Sequence, residues 1–225
     1  MGLEGSRASQ PVAPAPETSS VDVLMTRLRV ARSVAGEPLF VGIDGRSGVG
    51  KSTLAGAVSV AFAAMDGVAG SVTVIEGDQF YAGGSAESWD RESPAEKAAR
   101  VIDWPRQRLV LEQLRARGVA EWFPFDWAAE DWDADIVPLG REPIVARTGS
   151  VVVVEGVYSC RPELHDLFDL RVLLDTSHDV RRQRLLEREG KAYRSDWEAR
   201  WSVAEDYYFA TVMPVERFDL VLGSS

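Results

Sequence analysis

The string Gly45-Arg46-Ser47-Gly48-Val49-Gly50-Lys51-Ser52 restricts what this chain can fold into more than any other part of its 225 residues. Such a loop works only where a strand delivers it and a helix leaves it. Its backbone N–H groups must turn inward and approach an anion with no Cβ in the way. Both flanks are present: Leu39-Phe-Val-Gly-Ile43 is a compact apolar strand, and Ser52 to Met65 is an Ala- and Val-rich stretch that reads as a buried helix. The pattern is a complete Walker A motif. Gly45, Ser47, Gly48, Val49, Gly50, Lys51, Ser52 and Thr53 are therefore expected to hold nucleotide phosphates. Lys51 is expected on the β- and γ-phosphates and the Ser52 hydroxyl on Mg²⁺, with the positive end of the following helix aimed at the anion. Asp44, just before the loop, is a weaker candidate whose role is expected to be a hydrogen bond within the loop.

Apolar runs elsewhere complete the architecture. Val72-Thr-Val-Ile75, Val151-Val-Val-Val154, Leu170-Arg-Val-Leu-Leu174 and Asp219-Leu-Val-Leu222 read as strands without strict alternation, which implies a parallel sheet buried on both faces. Three- and four-residue spacing predicts a helix through Val21, Leu24, Met25, Leu28, Ala31 and Ala35, capped by Ser19 or Ser20 and ended by Gly36 and Pro38. Further helices are expected at about 95–101, 105–117, 178–189 and 195–213, and 76–94 reads as a loop with Gly83-Gly84. The fold class is α/β: a three-layer α/β/α P-loop fold with a mostly parallel sheet. One domain is expected over 21–225, with an insertion at about 121–147 and a helical lid at about 178–200. Residues 1–20, rich in Pro, Ala, Ser and Gly without an apolar block, read as a disordered tail, not a signal peptide. Met1-Gly2 with Ser6 fits the myristoylation pattern, for which chance is the better reading.

Composition removes several function classes. The formal net charge is −10, from 25 Lys and Arg against 35 Asp and Glu, which argues against a broad nucleic-acid or anionic-membrane surface. The one cysteine, Cys160, excludes an internal disulfide and an all-cysteine metal site, and fits the reducing cytoplasm. The sequence leaves homo-oligomer formation open. The charge is unevenly distributed. Residues 121–142 hold seven acids (Glu121, Asp126, Glu130, Asp131, Asp133, Asp135, Glu142) against Arg141, together with Trp122, Trp127 and Trp132. Residues 181–200 hold seven bases against four acids.

Two carboxylates are placed for chemistry. Glu76-Gly-Asp78-Gln-Phe-Tyr81 follows the second strand, putting Asp78 past the carboxyl end of a parallel strand, where ligands bind in open α/β sheets. There Asp78 can accept the proton of an attacking hydroxyl or hold Mg²⁺ through water; the plainer reading is a turn cap. Glu155, ending the valine run, has the Walker B form and is expected to assist Mg²⁺ or the base. Arg181, Arg184 and Arg188 share one helical face. They read as a lid delivering Arg to the transferring phosphoryl group, against the alternative of a solvated face. Tyr81, Phe125, Trp127, Arg161 and Arg181 are the candidate acceptor contacts. Trp127 or Phe125 would stack a planar or sugar-like molecule, with Asp126 or Glu130 accepting from hydroxyls or an amine. The alternative for most of the Trp residues is simple packing. His165 and His178 show no metal-like spacing.

Taken together, these residues resemble the uridine kinase and phosphoribulokinase group of P-loop kinases, from about Leu39 to Leu222. Asp78-Gln-Phe-Tyr81 is similar to the Asp-Ser-Phe-Tyr-like motif of uridine kinases. Asp103-Trp104-Pro105 is similar to their Asp-His-Pro segment, and Pro124-Phe125-Asp126-Trp127 to their Pro-x-Tyr-Asp-Phe stretch. Glu155-Gly156, the phrase from Leu167 to Asp175, and the Arg-rich helix follow in the family's order. The resemblance implies ATP and Mg²⁺ as cofactors, Asp78 as general base for the acceptor hydroxyl, and Arg184 and Arg188 closing over the phosphoryl group. The departures fall on the acceptor side. Phe125 stands for the family Tyr, Trp104 for the His, and Ala129-Glu130-Asp131 lies where a second His is expected. In the lid, Arg184-Leu185 stands for paired Arg and Arg188-Glu189 for Arg-Asp. Lost hydrogen-bonding groups at a polar recognition site change selectivity by orders of magnitude. A nucleoside or nucleoside-like acceptor is thus one expectation. The alternatives are another small alcohol (a sugar phosphate, a pantothenate-like or an amine-bearing metabolite) and a regulatory NTP-binding module. The chain contains no Asn-Lys-x-Asp guanine motif.

Overall fold

The computed structural model describes residues 19–35, 38–64, 71–129, 137–190 and 195–223. Most of the expected tail, together with Glu130, Asp131, Trp132, Asp133, Asp135, Lys191 and Arg194, lies outside them. Five strands form one parallel sheet: β1 (Leu39–Asp44), β2 (Val72–Glu76), β5 (Val151–Glu155), β6 (Leu170–Asp175) and β7 (Leu220–Gly223), in the order β2-β5-β1-β6-β7. Leu39 and Val72 both pair with Val151, so the carboxyl ends of β1, β2 and β5 lie level at one sheet edge. That level edge places the loop after β1 beside Glu155 and Asp78.

Every residue of β1 and β5 is buried, as runs without polar alternation require for central strands. Successive side chains serve opposite faces. Val41, Ile43 and Val153 pack with α1 (Ser20–Ala35) and α2 (Lys51–Ala63) through Leu24, Leu28, Val58 and Phe62. Phe40, Val152 and Val154 pack with α5 (Trp104–Arg117) and α7 (Ser195–Tyr207) through Leu111, Leu114, Trp201 and Ala204. The sheet is therefore covered on both sides. Ser19 caps α1, its hydroxyl accepting from the N–H of Asp22 at 3.2 Å. Among the described residues, no helix is long and apolar enough to cross a membrane.

Two segments differ from the sequence expectation. The stretch 76–94 is not a plain loop. It holds a 3₁₀ turn (Gly77–Phe80) and α3 (Ala86–Asp90), capped by Ser85, before α4 begins at Pro94 (Pro94–Arg100). A five-residue helix is too short to show a 3.6-residue period. The expected helix 195–213 ends as α7 at Tyr207 and continues as a wider π turn over Tyr208–Val212, in which the N–H of Met213 donates to Tyr208 O at 2.8 Å. Between α5 and β5, strands β3 (Val119–Trp122) and β4 (Ile144–Arg147) pair antiparallel as a separate hairpin. The lid region begins with α6 (His178–Glu189), capped by Ser177.

The end of β1 is fixed by Asp44, which is fully buried. Its Oδ1 accepts from the N–H groups of Gly45 (2.8 Å) and Tyr158 (3.0 Å). Its Oδ2 accepts from the N–H of Cys160 (2.9 Å) and from the Tyr208 hydroxyl (2.8 Å). The role expected from the sequence, a bond within the loop, is one of four. Burial raises the Asp44 pKa to about 6 from the ordinary 3.8, against the lowering effect of the Cys160, Tyr208 and Gly45 donors and of Lys51.

Two outcomes follow from this packing. An amide at position 44 would leave, in either orientation, at least one backbone N–H (that of Cys160, or those of Gly45 and Tyr158) facing another donor, so Asp44→Asn is expected to cost about 1–3 kcal/mol in denaturant unfolding at pH 7. Because the folded pKa is the higher one, the stability Asp44 contributes is greatest below pH 3.8 and is lost as pH rises to about 6. The variant should lack that part of the wild-type pH slope. Trp89 in α3 is fully buried and donates through its indole N–H to Gly83 O at 2.9 Å. Trp89→Ala is expected to cost about 3–5 kcal/mol, read as a lowered unfolding midpoint.

Candidate active site

The phosphate loop leaves the sheet at Asp44 and enters α2 at Lys51. Gly48 has φ +78°, and a Cβ there would lie 2.6 Å from the carbonyl oxygen of Arg181, so only glycine lets α6 pack against the loop. Gly50 is also left-handed (φ 101°) and starts α2 without a side-chain cap, leaving the first N–H groups of that helix for an anion. Val49 is buried beneath the loop, and Thr53 is exposed on the first turn of α2. Lys51 is buried and folds back on the loop, its Nζ donating to Gly45 O (2.9 Å) and Arg46 O (3.2 Å).

The Ser52 hydroxyl donates to Glu155 Oε1 at 2.8 Å. Glu155 is buried at the end of β5, and burial raises its pKa; Lys51 and Ser52 lower it, while Asp78 and Glu76 raise it further. Asp78 is exposed in the first turn of the 3₁₀ segment. It is brought toward Glu155 by two glycines in contact: a Cβ on Gly77 would lie 3.2 Å from Glu155 O and 3.3 Å from the Gly156 Cα. Thus Lys51, Ser52, Asp78 and Glu155 are assembled at one sheet edge. The donors are hard oxygens, the type Mg²⁺ binds. Among the described residues there is no cluster of three or more His, Cys, Asp or Glu side chains able to hold a metal alone. A hydroxyl and a carboxylate fit an ion that takes its other ligands from phosphates and water.

The arginines of α6 are arranged differently from the expectation. Arg181 Nη1 donates to Ser47 O at 3.4 Å and Arg184 Nη1 to Val49 O at 2.9 Å. They brace carbonyls of the phosphate loop in this conformation instead of reaching over its anion-binding N–H groups. Arg188 lines a cleft of about 200 Å³ between the loop, α6 and α7, together with Arg46, Ser47, Trp197, Trp201 and Glu205.

Tyr81 is the centre of an aromatic wall. Its ring stacks on Trp127 at 5.0 Å and meets Phe125 edge-on at 4.9 Å. Trp197 and Trp201 of α7 lie at 6.2 and 6.1 Å. Phe125 is buried, whereas Trp127 keeps 46% of its surface exposed. Gln79 joins this wall to the hairpin: its carbonyl accepts from the Phe125 N–H at 2.8 Å and its side chain from the Trp122 indole at 3.0 Å.

Three side chains noted in the sequence serve in packing or capping. Arg161, expected on the acceptor, is buried. It forms a two-pronged pair with Glu163 (2.9 Å each) and lies over the Trp104 ring at 5.2 Å. Asp103 of the Asp-Trp-Pro segment caps α5, accepting from the Arg106 N–H at 3.1 Å. His165 bonds to Cys160 O at 2.8 Å. One residue escaped the sequence reading altogether. Glu205 is buried, accepts from the Ser47 N–H (3.2 Å) and bonds the Ser47 hydroxyl at 2.5 Å. The signal was available: Glu205 falls on the stripe Trp197, Trp201, Tyr208, where helical spacing leaves no place for a solvated charge.

A sequence profile described as an AAA domain (AAA_18) matches residues 41–206. The uridine kinase of Halobacterium salinarum is 27% identical over 177 residues, covering 78% of this chain and 71% of that protein. The uridine kinase of Brevibacillus brevis is 29% identical over 160 residues, 68% of this chain and 67% of the relative. Among solved structures, a possible uridine kinase from Bacillus stearothermophilus superposes with TM-score 0.59 at 24% identity, over 89% of this chain and 99% of that one. A protein provisionally assigned as a fructose transport system kinase from Silicibacter superposes with TM-score 0.64 at 19% identity, over 91% and 99%. At these identities the two structures show the shared fold, a P-loop kinase fold. The chain belongs to the P-loop family described as an AAA domain, and it is a P-loop kinase related to the uridine kinases.

Proposed function

We propose that this kinase transfers the γ-phosphate of ATP to a hydroxyl of a small molecule, a nucleoside or a nucleoside-like compound being the best-supported acceptor. The observation that carries the reading is the Ser52–Glu155 bond of 2.8 Å beside Lys51, with Asp78 drawn in by the Gly77–Gly156 contact. Cation, metal-ligating hydroxyl and base candidate then stand at the mouth of the phosphate loop, and the aromatic wall of Tyr81, Phe125 and Trp127 lies next to the base. In this reading, triphosphate entry draws Lys51 off the Gly45 and Arg46 carbonyls onto the β- and γ-phosphates. Asp78 orients the acceptor hydroxyl and takes its proton as the oxygen attacks. Mg²⁺, held by Ser52 and through water by Glu155, would supply charge neutralisation for the phosphates. Trp127, nearly half exposed and stacked on the buried Tyr81, offers a flat face for a base or sugar. We place the reaction in the cytoplasm, where ATP is available and the lone buried thiol of Cys160 stays reduced.

The measurement is ADP release with nucleosides, sugars and small alcohols offered one at a time. Release that requires an added acceptor is expected; release at full rate without one would replace transfer by hydrolysis in a regulatory module. Lys51→Ala is expected to lower kcat about 10²- to 10³-fold. Asp78→Asn should lower kcat by about 10²–10⁴ while calorimetry finds ATP binding unchanged. Full activity of Asp78→Asn would remove the base assignment.

A further inference from the structure

Glu205 is a carboxylate with 3% of its surface exposed, in a place where a loop built for anions meets α7. Both of its oxygens face the Ser47 N–H, at 3.2 and 3.3 Å, and Oε1 also takes the Ser47 hydroxyl at 2.5 Å. The positive charges of Lys51 and Arg181 act on it as well, opposing the rise in pKa that burial causes. A loop N–H, a loop hydroxyl, the motif lysine and a lid arginine are the partners a phosphoryl group would take at the outer end of a bound triphosphate. Meanwhile Lys51 is turned onto the carbonyls of Gly45 and Arg46. At Ser47 the loop already holds an anion, the Glu205 carboxylate.

We propose that Glu205 is an internal stand-in for the terminal phosphate and sets the nucleotide preference of the site, because a nucleotide must displace it to engage Ser47. This rests on the reading of the loop as the ATP site. A triphosphate carries the group that competes directly with the carboxylate, whereas a diphosphate ends short of it. The latch lowers apparent affinity by the fraction of molecules in which the loop is free. It also ties nucleotide entry to the acceptor wall. The helix that carries Glu205 places Trp197 and Trp201 against Tyr81, and is held to α3 by the Arg200–Asp90 pair at 2.6 Å. A support role for Glu205, in which it holds Ser47 in the form that binds nucleotide, makes the opposite prediction for affinity. A role as an acceptor ligand leaves nucleotide affinity unmoved.

The test is calorimetric titration of wild type and Glu205→Gln with a non-hydrolysable ATP analogue and with ADP, both with Mg²⁺. Glutamine keeps the shape and removes the charge. The expected result is about 5- to 20-fold tighter binding of the triphosphate analogue by the variant, with a smaller change for ADP. Unchanged or weaker triphosphate binding, or an equal gain for both nucleotides, overturns the proposal and leaves the ATP reading intact. No nucleotide binding by either protein overturns both. Should Glu205→Gln fail to fold, hydrogen exchange on the wild type decides. Faster exchange in 197–207 with the triphosphate analogue than with ADP is expected, and equal exchange with the two overturns the proposal.

Discussion

Asp44 brings a carboxylate to a place that no water reaches, and four hydrogen bonds make that tolerable. Those bonds come from three separate parts of the chain. The Gly45 N–H belongs to the phosphate loop, the Tyr158 and Cys160 N–H groups to the turn after β5, and the Tyr208 hydroxyl to the π turn ending α7. One side chain thereby sets the loop in register with Glu155 on one side and with α7 on the other. Tyr158 accepts φ +71°, a conformation costly for a bulky residue, in the turn whose N–H groups meet Asp44. Strain of that size is sustained only where the surroundings over-determine the backbone.

The sheet and most helices could be read from the sequence because each is decided by a local pattern. The valines of β5 state burial on both faces; the loop Gly45–Ser52 states a strand before it and a helix after it; Pro105 marks the start of α5 to within a residue. Lys51, Ser52 and Glu155 were legible for the same reason, since motif spacing fixes them relative to their own strands. What was not legible depends on distances across the chain. Arg181 and Arg184 share a face, as their spacing implies, but whether that face meets phosphates or loop carbonyls depends on how α6 lies on Gly48. Arg161 reads from the sequence as an acceptor contact, whereas in the fold Glu163 and Trp104 engage it. Glu205 required both α7 and the loop in place before its partner could be named.

The net charge of −10 argued against a broad polyanion surface, yet the phosphate loop binds anions by orientation and not by excess charge. Backbone N–H groups, one helix N-terminus and Lys51 act over a few ångströms, a range at which the distant acids count for little. The acids nearest the site matter in a different way. Asp78 and Glu76 sit close enough to raise the proton affinity of Glu155, and a divalent ion bound there would reverse that tendency. Local arrangement, not composition, decides which anion the site accepts.

The acceptor side follows a parallel logic. Phe125 and Trp104 occupy positions where uridine kinases carry hydrogen-bonding groups, and here both are absorbed into packing, Phe125 on Tyr81 and Trp104 under Arg161. Of the Tyr81, Phe125 and Trp127 rings, Trp127 is the one left exposed, a face suited to stacking more than to reading polar edges. Within eight residues of α7 and its π turn, Trp201 touches that surface, Glu205 holds Ser47, Asp206 pairs with Arg46 at 2.6 Å and Tyr208 holds Asp44. A segment bonded so closely to both halves of the site cannot shift for one substrate without altering the other's surroundings. On the proposed reading, coupling between nucleotide and acceptor follows from where these four side chains fall on α7 and its π turn.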